Sequence, residues 1–505
     1  MLPYIYSFCL PKTDCGVLAV VMSRWDDIVG PKTVRVWFQE QSHEDMGLPI
    51  VFSRDGSDKE SNDMGVKSKV PLSSEACNTE IVYSNKQEYH PGESGNIASQ
   101  SELVDSNLFS AIKYVTNHTV NCLAVARESD AASSSCLQEK GTSFFAVPDV
   151  NLVFLSLMFL VKEGNTHVPY SFALITSYEN YEYFLQLRSL CLQWLRRIAF
   201  RFHTLLVKNS CTFDTSLWKN LNEWIMDFCK MLVEVKQSSL DTMSFQISGN
   251  VVKSKIIKRA LTSHLQTFGS SVVIGETADS INNMIAFLGL FLDDTDKHSS
   301  CLIDPLRKYS YHMGLKLQGL LLDEYGGRDL ASLELMSNPI PVTVIDLTVG
   351  DSFGAVKQTS NFHSYLVNQQ EMYRNEYRFL NQGNGSSLDH ESVMQNVRET
   401  GRLVNDAIRD LEFLPVVYWE TYIKTFRRRL NCLALSLLSL VSWMRNTGNQ
   451  GGLIKFPGES RGGITLAKYL KNTLRLDDAD FLVVLSAAEK LKPGIYIYVL
   501  ERNNP

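Results

Sequence analysis

The sequence lacks the motifs of the familiar enzyme classes. No GxxxxGK[ST] phosphate loop occurs, and the nearest segment, Gly269 to Glu276, has the wrong spacing and no lysine. A P-loop GTPase is therefore excluded. There is no HExxH or other paired-histidine spacing, no GxSxG segment and no kinase signature. Because these chemistries need those residues at those spacings, we predict no hydrolase, kinase or metal active site, no catalytic residue and no cofactor.

Long apolar runs and a strong charge bias are missing as well. The longest apolar runs, Leu152–Val161 and Cys432–Met444, are shorter than the roughly 20 residues that span a bilayer, so no transmembrane segment is predicted. The start of the chain has no basic region before an apolar one, which argues against a signal peptide. A formal net charge of −6 gives no bulk attraction to nucleic acid, and no nucleic-acid partner is predicted.

Paired cysteines are also lacking. The 10 cysteines are scattered and none forms a Cys-x-x-Cys pair. Several stand in apolar stretches, where a free cysteine behaves as a small hydrophobic residue. This pattern favours a reducing compartment over a disulfide framework.

What the sequence does contain near its start is a hairpin pattern. The apolar, β-branched run Val17–Met22 predicts a buried strand, and Thr33–Phe38 alternates as a second strand with two unlike faces. Between them, Gly30 tolerates unusual backbone angles and Pro31 offers no backbone donor, so this pair ends one strand and redirects the chain.

The rest of the first 208 residues predicts an α+β layer. Residues 42–100 are polar, and we expect a disordered insertion there because such a segment cannot bury enough apolar surface. Three more strands are predicted at Thr142–Val147, Leu152–Val161 and Tyr170–Thr176. A helix with an apolar stripe from Phe184 to Leu205 follows, and its arginines are interpreted as a solvated flank.

The remainder alternates and then becomes helical. Ser216–Val235 predicts an amphipathic helix, and the polar residues 236–251 predict a linker. The middle block predicts helix, strand and helix, followed by further strands. The C-terminal third is predicted to be mainly helical, interrupted by a glycine-rich loop at 449–463. A helix from Asp477 to Lys490 and a last strand, Ile495–Leu500, are expected at the end.

Several segments in one order resemble a known family. The string Trp25–Lys32 resembles the opening of longin-type upstream DENN domains. Ala260–Thr267 and Ser271–Gly275 resemble the central DENN region of the DENN proteins of the chromosome-9 open reading frame linked to amyotrophic lateral sclerosis and frontotemporal dementia, and Ala488–Gly494 agrees with the same family. The chain is identified as a divergent, invertebrate-like homologue, whose 42–100 insertion is longer than the usual loop.

The resemblance implies a layout of α+β and α/β domains. It implies a longin (upstream DENN) domain at 1–208, a helix and linker at 209–251, a central DENN domain at 252–360 and a mostly helical downstream DENN domain at 361–505. The family positions that it marks as a possible interface are Trp25, Asp26, Gly30, Pro31, His264, Gln266 and Gly275. From the residues alone, a packing role is the competing interpretation for Trp25, Pro31 and His264.

The resemblance also implies function. Such proteins act on small GTPases of the Rab and Arf type, in the cytoplasm and at endosomes, lysosomes and autophagosomes, to which partners recruit them. The activity is either guanine-nucleotide exchange or GTPase activation in a complex with a second longin/DENN protein and a WD-repeat protein. The alternative is a non-catalytic scaffold that pairs through the edge of its longin sheet.

Overall fold

The computed structural model describes most of the 505 residues. The described ranges are 6–10, 15–39, 81–82, 111–120, 138–148, 151–163, 166–208, 212–243, 245–307, 310–322, 340–350, 353–359, 394–397, 399–446, 453–454 and 464–500, with a few single residues between 335 and 380. The chain divides into two compact units, Met1–Val233 and Glu234–Pro505. Within the described residues, no helix combines the length and apolarity needed to cross a membrane.

The first unit is built on a seven-stranded sheet with the order β4-β1-β3-β2-β7-β6-β5. Neighbouring strands are antiparallel, except that β1 runs parallel to β3. The strands are β1 (Tyr6–Leu10), β2 (Val17–Asp26), β3 (Gly30–Gln39), β4 (Ile81–Val82), β5 (Gln138–Val147), β6 (Leu152–Glu163) and β7 (Thr166–Ser177). The five strands predicted from the sequence are confirmed, and β1 and β4 were not predicted.

Helices cover both faces of this sheet. Helix α1 (residues 111–120) packs Ile112 and Val115 against one face. On α2 (Tyr181–Lys208), Phe202 meets Phe159 and Phe172 of the strands edge to face. Helix α3 (Thr215–Ser238) follows, and the Asn222 side chain on it accepts a hydrogen bond of 2.8 Å from Trp37 Nε1. Burial on both faces explains why β2 and β6 are nearly continuous apolar runs.

The expectation that the arginines of α2 form a solvated flank was wrong for Arg196, Arg197 and Arg201, which are half-buried, whereas Arg188 is exposed as expected. Arg196 donates two hydrogen bonds, of 2.9 and 2.8 Å, to the Glu139 carboxylate on β5. The Arg201 guanidinium lies 5.4 Å from the ring centre of Trp224. Bidentate pairing and stacking on aromatic rings are what the planar guanidinium favours, and partners distant in sequence supply both here.

The second unit contains a mixed sheet with the order β12-β11-β10-β8-β9, in which β10, β8 and β9 are parallel. Its strands are β8 (Ser271–Gly275), β9 (Leu317–Leu321), β10 (Thr343–Asp346), β11 (Val356–Thr359) and β12 (Met394–Asn396). The helices of this region are α4 (Ile257–Gln266), α5 (Ala278–Gly289) and α6 (Asp294–His298). The crossover from β8 through α5 to its parallel neighbour β9 is the βαβ arrangement that parallel strands require. The predicted helix–strand–helix block is confirmed.

The C-terminal part is mainly helical, as predicted. It comprises α7 (Arg402–Phe413), α8 (Trp419–Asn446), α9 (Leu466–Leu474), α10 (Asp478–Leu491) and α11 (Ile495–Leu500), with the short strands β13 (Leu453–Ile454) and β14 (Ile464–Thr465). Together with the two sheets, these helices confirm the predicted α+β class.

The N-terminal end of α10 caps α7. Asp477 Oδ2 accepts from Arg402 N at 2.9 Å, and the Asp480 carboxylate accepts from Leu403 N at 3.0 and 3.2 Å. A β-carbon on Gly401 would collide with the Asp480 carboxylate, so glycine is needed there. These carboxylates satisfy donors that a helix start leaves without intrahelical partners.

The predicted strand Ile495–Leu500 was wrong, because this segment is helix α11. The Glu489 carboxylate accepts from Gly494 N at 2.7 Å and from Tyr496 N at 2.8 Å, which satisfies donors of the first turn. Ile495, Tyr496 and Val499 are buried, a spacing that suits one face of a helix. A capping group and a packing surface therefore outweigh the strand preference of isoleucine, tyrosine and valine.

Two predicted irregular segments fall largely outside the described residues. Of residues 42–100, the structure describes only Ile81–Val82, which pairs antiparallel with Tyr6 and Ser7 of β1. Of the 449–463 loop it describes only β13. The 236–251 segment, predicted to be a linker, includes the end of α3, a bridge from Ser239 to Cys301 and the start of a 3-10 helix at Gly249–Lys253.

Candidate functional site

The structure brings four of the predicted site residues together at the tip of the β2–β3 hairpin. Trp25 lies opposite Pro31, and Asp26 lies opposite Gly30. Gly30 has a positive φ of 83°, a conformation that glycine adopts without a steric cost. The sequence therefore placed this turn correctly.

The carboxylate of Asp26 fixes the conformation of the tip. Its Oδ1 accepts from Ile28 N at 3.0 Å and from Val29 N at 3.2 Å, and its Oδ2 lies 4.0 Å from the Arg24 guanidinium. The backbone N–H groups lower the pKa of Asp26 below its usual value, and Arg24 adds to this. An aspartate that bonds the backbone two residues ahead is a turn-forming device.

The tip presents two aliphatic side chains that the sequence analysis did not single out. Ile28 is 95% exposed and Val29 is 70% exposed, whereas Trp25 is only half-buried beside them. The sequence signal for this exposed pair was the position of two aliphatic residues inside a turn, between Asp26 and Gly30. An exposed apolar pair on a backbone that is already fixed can dock into an apolar pocket at a low entropic cost. We call residues 25–31 the hairpin tip.

The other three predicted residues lie inside the second unit. His264 is fully buried, and its Nδ1 lies 2.9 Å from Ser271 Oγ. Gln266 Nε2 donates to Ala479 O at 3.2 Å, which ties α4 to α10. At Gly275, an added β-carbon would approach Ile281 Cγ1 to 2.8 Å. In this structure these three residues contribute to packing rather than to a surface.

His264 belongs to a buried group of charged and polar side chains. Burial lowers the pKa of His264 to about 3, and the nearby Lys490 and Lys316 ammonium groups act in the same direction. Burial alone would raise the pKa of Asp296, but Lys316 and Lys490 lower it below its usual value. Asp296 Oδ1 lies 3.7 Å from Lys316 Nζ, and its Oδ2 lies 3.4 Å from Lys490 Nζ. The group joins α6, α10 and the residue before β9.

A small cavity in the second unit places Ser310, His312 and Glu234 side by side. Ser310 Oγ at 3.4 Å and Glu234 Oε2 at 2.8 Å both face the same nitrogen, His312 Nε2. A catalytic triad needs its carboxylate and its nucleophile on opposite ring nitrogens. The cavity volume of about 10 Å³ holds roughly one water molecule. Among the described residues, no group of three or more His, Cys, Asp or Glu side chains could hold a metal ion.

Comparison with known proteins identifies the relatives of this chain. A model described as the C9orf72-like protein family matches residues 119–365. The chain is 23% identical over 433 residues to the human guanine nucleotide exchange factor C9orf72, an alignment that covers 77% of this chain and 85% of the relative. This chain is a divergent homologue of C9orf72.

Two further C9orf72 relatives agree with this assignment. The mouse homologue is 24% identical over 426 residues, and the rat homologue is 23% identical over 433 residues, each covering 77% of this chain. The resemblance to this family that the sequence indicated is confirmed. The C9orf72-like family match includes His264, Gln266 and Gly275 but begins after the hairpin tip, so the tip stays a predicted site.

Proposed function

We propose that this chain regulates small GTPases of the Rab or Arf type as a guanine-nucleotide exchange factor. The observation that carries the proposal is the similarity to guanine nucleotide exchange factor C9orf72 proteins along 85% of their length. A match of this extent covers most of each relative's chain, which is more than one shared motif would cover.

The hairpin tip is the surface that we propose for contact with the GTPase. Exchange requires a surface that holds the switch loops of the GTPase away from nucleotide and magnesium, and no bond is made or broken by the exchange factor. Ile28 and Val29 offer exposed apolar contacts, and the Asp26 carboxylate fixes them in place. Because the tip is ordered before binding, little conformational entropy is lost in the complex.

We also propose the setting in which the chain works. It acts in autophagy and endosome–lysosome trafficking, in the cytoplasm and on the surfaces of endosomes, lysosomes and autophagosomes. It assembles with a second longin/DENN protein and with a WD-repeat protein. The proposed division is a longin domain at 1–208, a helix and linker at 209–251, a central DENN domain at 252–360 and a downstream DENN domain at 361–505. The family resemblance supports these finer assignments.

A scaffold function is the second candidate, and the edge of the sheet favours it. Strand β5 is the last strand of the order β4-β1-β3-β2-β7-β6-β5, so within the described residues its outer side pairs with no strand. A free edge is a template for strand addition by a partner. In this alternative, the chain only assembles the complex on membranes.

Nucleotide release separates the two candidates. The full chain, alone and with its DENN partner, is mixed with a panel of Rab and Arf proteins loaded with fluorescent GDP. Exchange predicts faster release, which Ile28→Asp with Val29→Asp abolishes and which Val207→Asp, at an exposed valine elsewhere in the same unit, leaves unchanged. No acceleration for any GTPase, with the partner complex still formed, would favour the scaffold.

Single-turnover GTP hydrolysis tests activation in the same mixtures. A supplied arginine finger raises the rate by roughly 10³–10⁵. Arg24 is the arginine nearest to the hairpin tip, but it is engaged by Asp26 at 4.0 Å. We expect no acceleration by this chain alone. Acceleration that Arg24→Ala abolishes would assign the catalytic arginine to this chain instead of to its partner.

A further inference from the structure

The connection between α7 and α8 exposes a cluster of large apolar side chains. Phe413 is 82% exposed, Val417 is 85% exposed and Tyr418 is 60% exposed, with Pro415 and Val416 between them also exposed. We call residues 413–418 the apolar elbow. Because most of the surface of Phe413, Val417 and Tyr418 faces solvent, these three side chains project from the second unit. Contiguous exposed apolar residues of this kind mark interaction sites.

The buried side chain of Trp419 fixes the backbone of the elbow. The buried Trp419 donates from Nε1 to Leu411 O at 3.1 Å and to Leu414 O at 2.9 Å. Its ring packs edge to face against Phe287 of α5, at 5.8 Å between ring centres. The side chains of the elbow are therefore presented on a fixed backbone, so binding would order little additional chain.

The charges around the elbow leave an excess of unpaired cations. Glu420 is paired with Lys424 at 2.9 Å, and Asp410 accepts from the Tyr422 hydroxyl at 2.7 Å. Among the described residues, no ion pair engages the exposed cations Lys253, Arg428 and Arg429. Of the acidic side chains near the elbow, Glu412 alone is likewise in no ion pair with a described residue.

Of these cations, Lys253 lies in the turn next to the elbow, and Arg428 and Arg429 lie further along α8. A β-carbon at Gly249, the first residue of the Gly249–Lys253 turn, would lie 3.4 Å from Val416 Cγ2, so this turn adjoins the elbow. Arg428 and Arg429 follow Tyr418 along α8 by about 15 Å at the helical rise. The surface therefore combines projecting aliphatic and aromatic side chains with nearby positive charge.

We propose that the apolar elbow inserts into the interfacial layer of an anionic lipid surface. The amphipathic ring of Tyr418 suits the boundary between headgroups and acyl chains, and the apolar side chains of Phe413 and Val417 enter the apolar side of that boundary. Lys253, Arg428 and Arg429 would then face anionic headgroups. Peripheral binding of this kind, with a small apolar area and a few cations, is reversible. The inference does not depend on the proposed exchange activity.

Vesicle flotation with the purified full chain tests the proposal. The probes are vesicles of phosphatidylcholine alone and of phosphatidylcholine with phosphatidylserine. Wild-type protein is expected to float with the anionic vesicles. The double variant Phe413→Asp with Val417→Asp is expected to lose at least roughly tenfold in affinity, since two apolar side chains no longer enter the lipid. Because both side chains are exposed, these changes leave the core intact, which thermal unfolding checks.

Two further variants sharpen the test. Leu306→Asp changes a leucine that is 92% exposed elsewhere in the second unit, and it should bind vesicles like wild type. Arg428→Glu with Arg429→Glu should weaken binding to the anionic vesicles and reduce its salt dependence, since Lys253 remains. Failure of the wild type to float, or equal flotation of the folded elbow variant, would overturn the proposal and leave the elbow to a protein partner.

Discussion

At the scale of single residues, Asp480 gives the clearest dependence on pH. Burial raises its pKa to about 6 from 3.8, although Leu403 N donates to its carboxylate. A raised folded-state pKa means that the folded protein binds this proton more tightly than the unfolded chain does. The stability from this group is therefore complete below pH 3.8 and is lost as the pH rises through about 6.

We expect Asp480→Asn to flatten this part of the pH profile. The amide oxygen still accepts from Leu403 N, and the buried charge is gone, so the free energy of unfolding at neutral pH should rise by on the order of 2 kcal/mol. Denaturant unfolding at a series of pH values measures this. Asp478→Asn, at an exposed carboxylate paired with Lys471, is the control. An unchanged pH profile in Asp480→Asn would contradict the expectation.

Gly275 has a steric reason to remain glycine. An added β-carbon would lie 2.8 Å from Ile281 Cγ1 and 3.3 Å from its Cδ1, in a buried site. Gly275→Ala should therefore lower the free energy of unfolding by about 1–3 kcal/mol through overpacking. Gly354→Ala, where no atom lies within 4 Å of the added carbon, should change it little. Equal stability of the two variants in denaturant unfolding would disprove the steric argument.

At the scale of elements, α11 depends on a carboxylate that precedes it. Glu489→Ala removes the acceptor for Gly494 N and Tyr496 N and should cost about 1–2 kcal/mol, the usual loss for a helix cap. Hydrogen exchange of the amides in Ile495–Leu500 should become faster than in wild type. Glu489→Gln keeps one oxygen acceptor, so its exchange rates should lie between those of wild type and Glu489→Ala. Unchanged exchange in Glu489→Ala would mean that packing alone holds α11.

Most helices and strands could be predicted from the sequence, and a few could not. Helices α2, α3, α4 and α5 were predicted because their apolar stripes have helical spacing, and β6 and β7 because their apolar runs are bounded by turn residues. The helix at Ile495–Leu500 was missed because its isoleucine, tyrosine and valine residues are typical of strands, and because Glu489, which caps it, lies in the preceding helix. Strand β1 was missed because a parallel partner adjoins it only in the folded sheet.

The candidate site was only partly predictable, for a similar reason. The turn at Gly30 and Pro31 follows from local chemistry, and so does the position of Asp26 beside it. The exposure of Ile28 and Val29 does not, since two aliphatic residues in a sequence predict burial as readily as a contact surface. The stacking of Arg201 on Trp224 joins two helices and has no local signature either.

At the scale of the whole molecule, we expect residues 42–100 to be dispensable for folding. Their polar composition gives little apolar surface to bury. Deleting residues 42–78 retains Ile81–Val82, the described part that pairs with β1, and deleting 42–100 removes it. Calorimetry should show nearly the same unfolding midpoint for both deletions and for the full chain. A fall of several degrees with the 42–100 deletion would contradict the expectation, and if the 42–78 deletion showed no fall, the loss would be assigned to residues 79–100, which include β4.

The contact between α7 and α10 has a consequence for shortened chains. Asp477 and Asp480 cap a helix that begins at Arg402, and Ala479 O holds Gln266, a residue of α4. A premature stop codon between Phe413 and Asp477 would therefore remove the hydrogen-bond partners of α4 and α7, although it leaves both helices complete. We expect chains shortened in this way to be degraded by proteolysis as fast as chains that end much earlier.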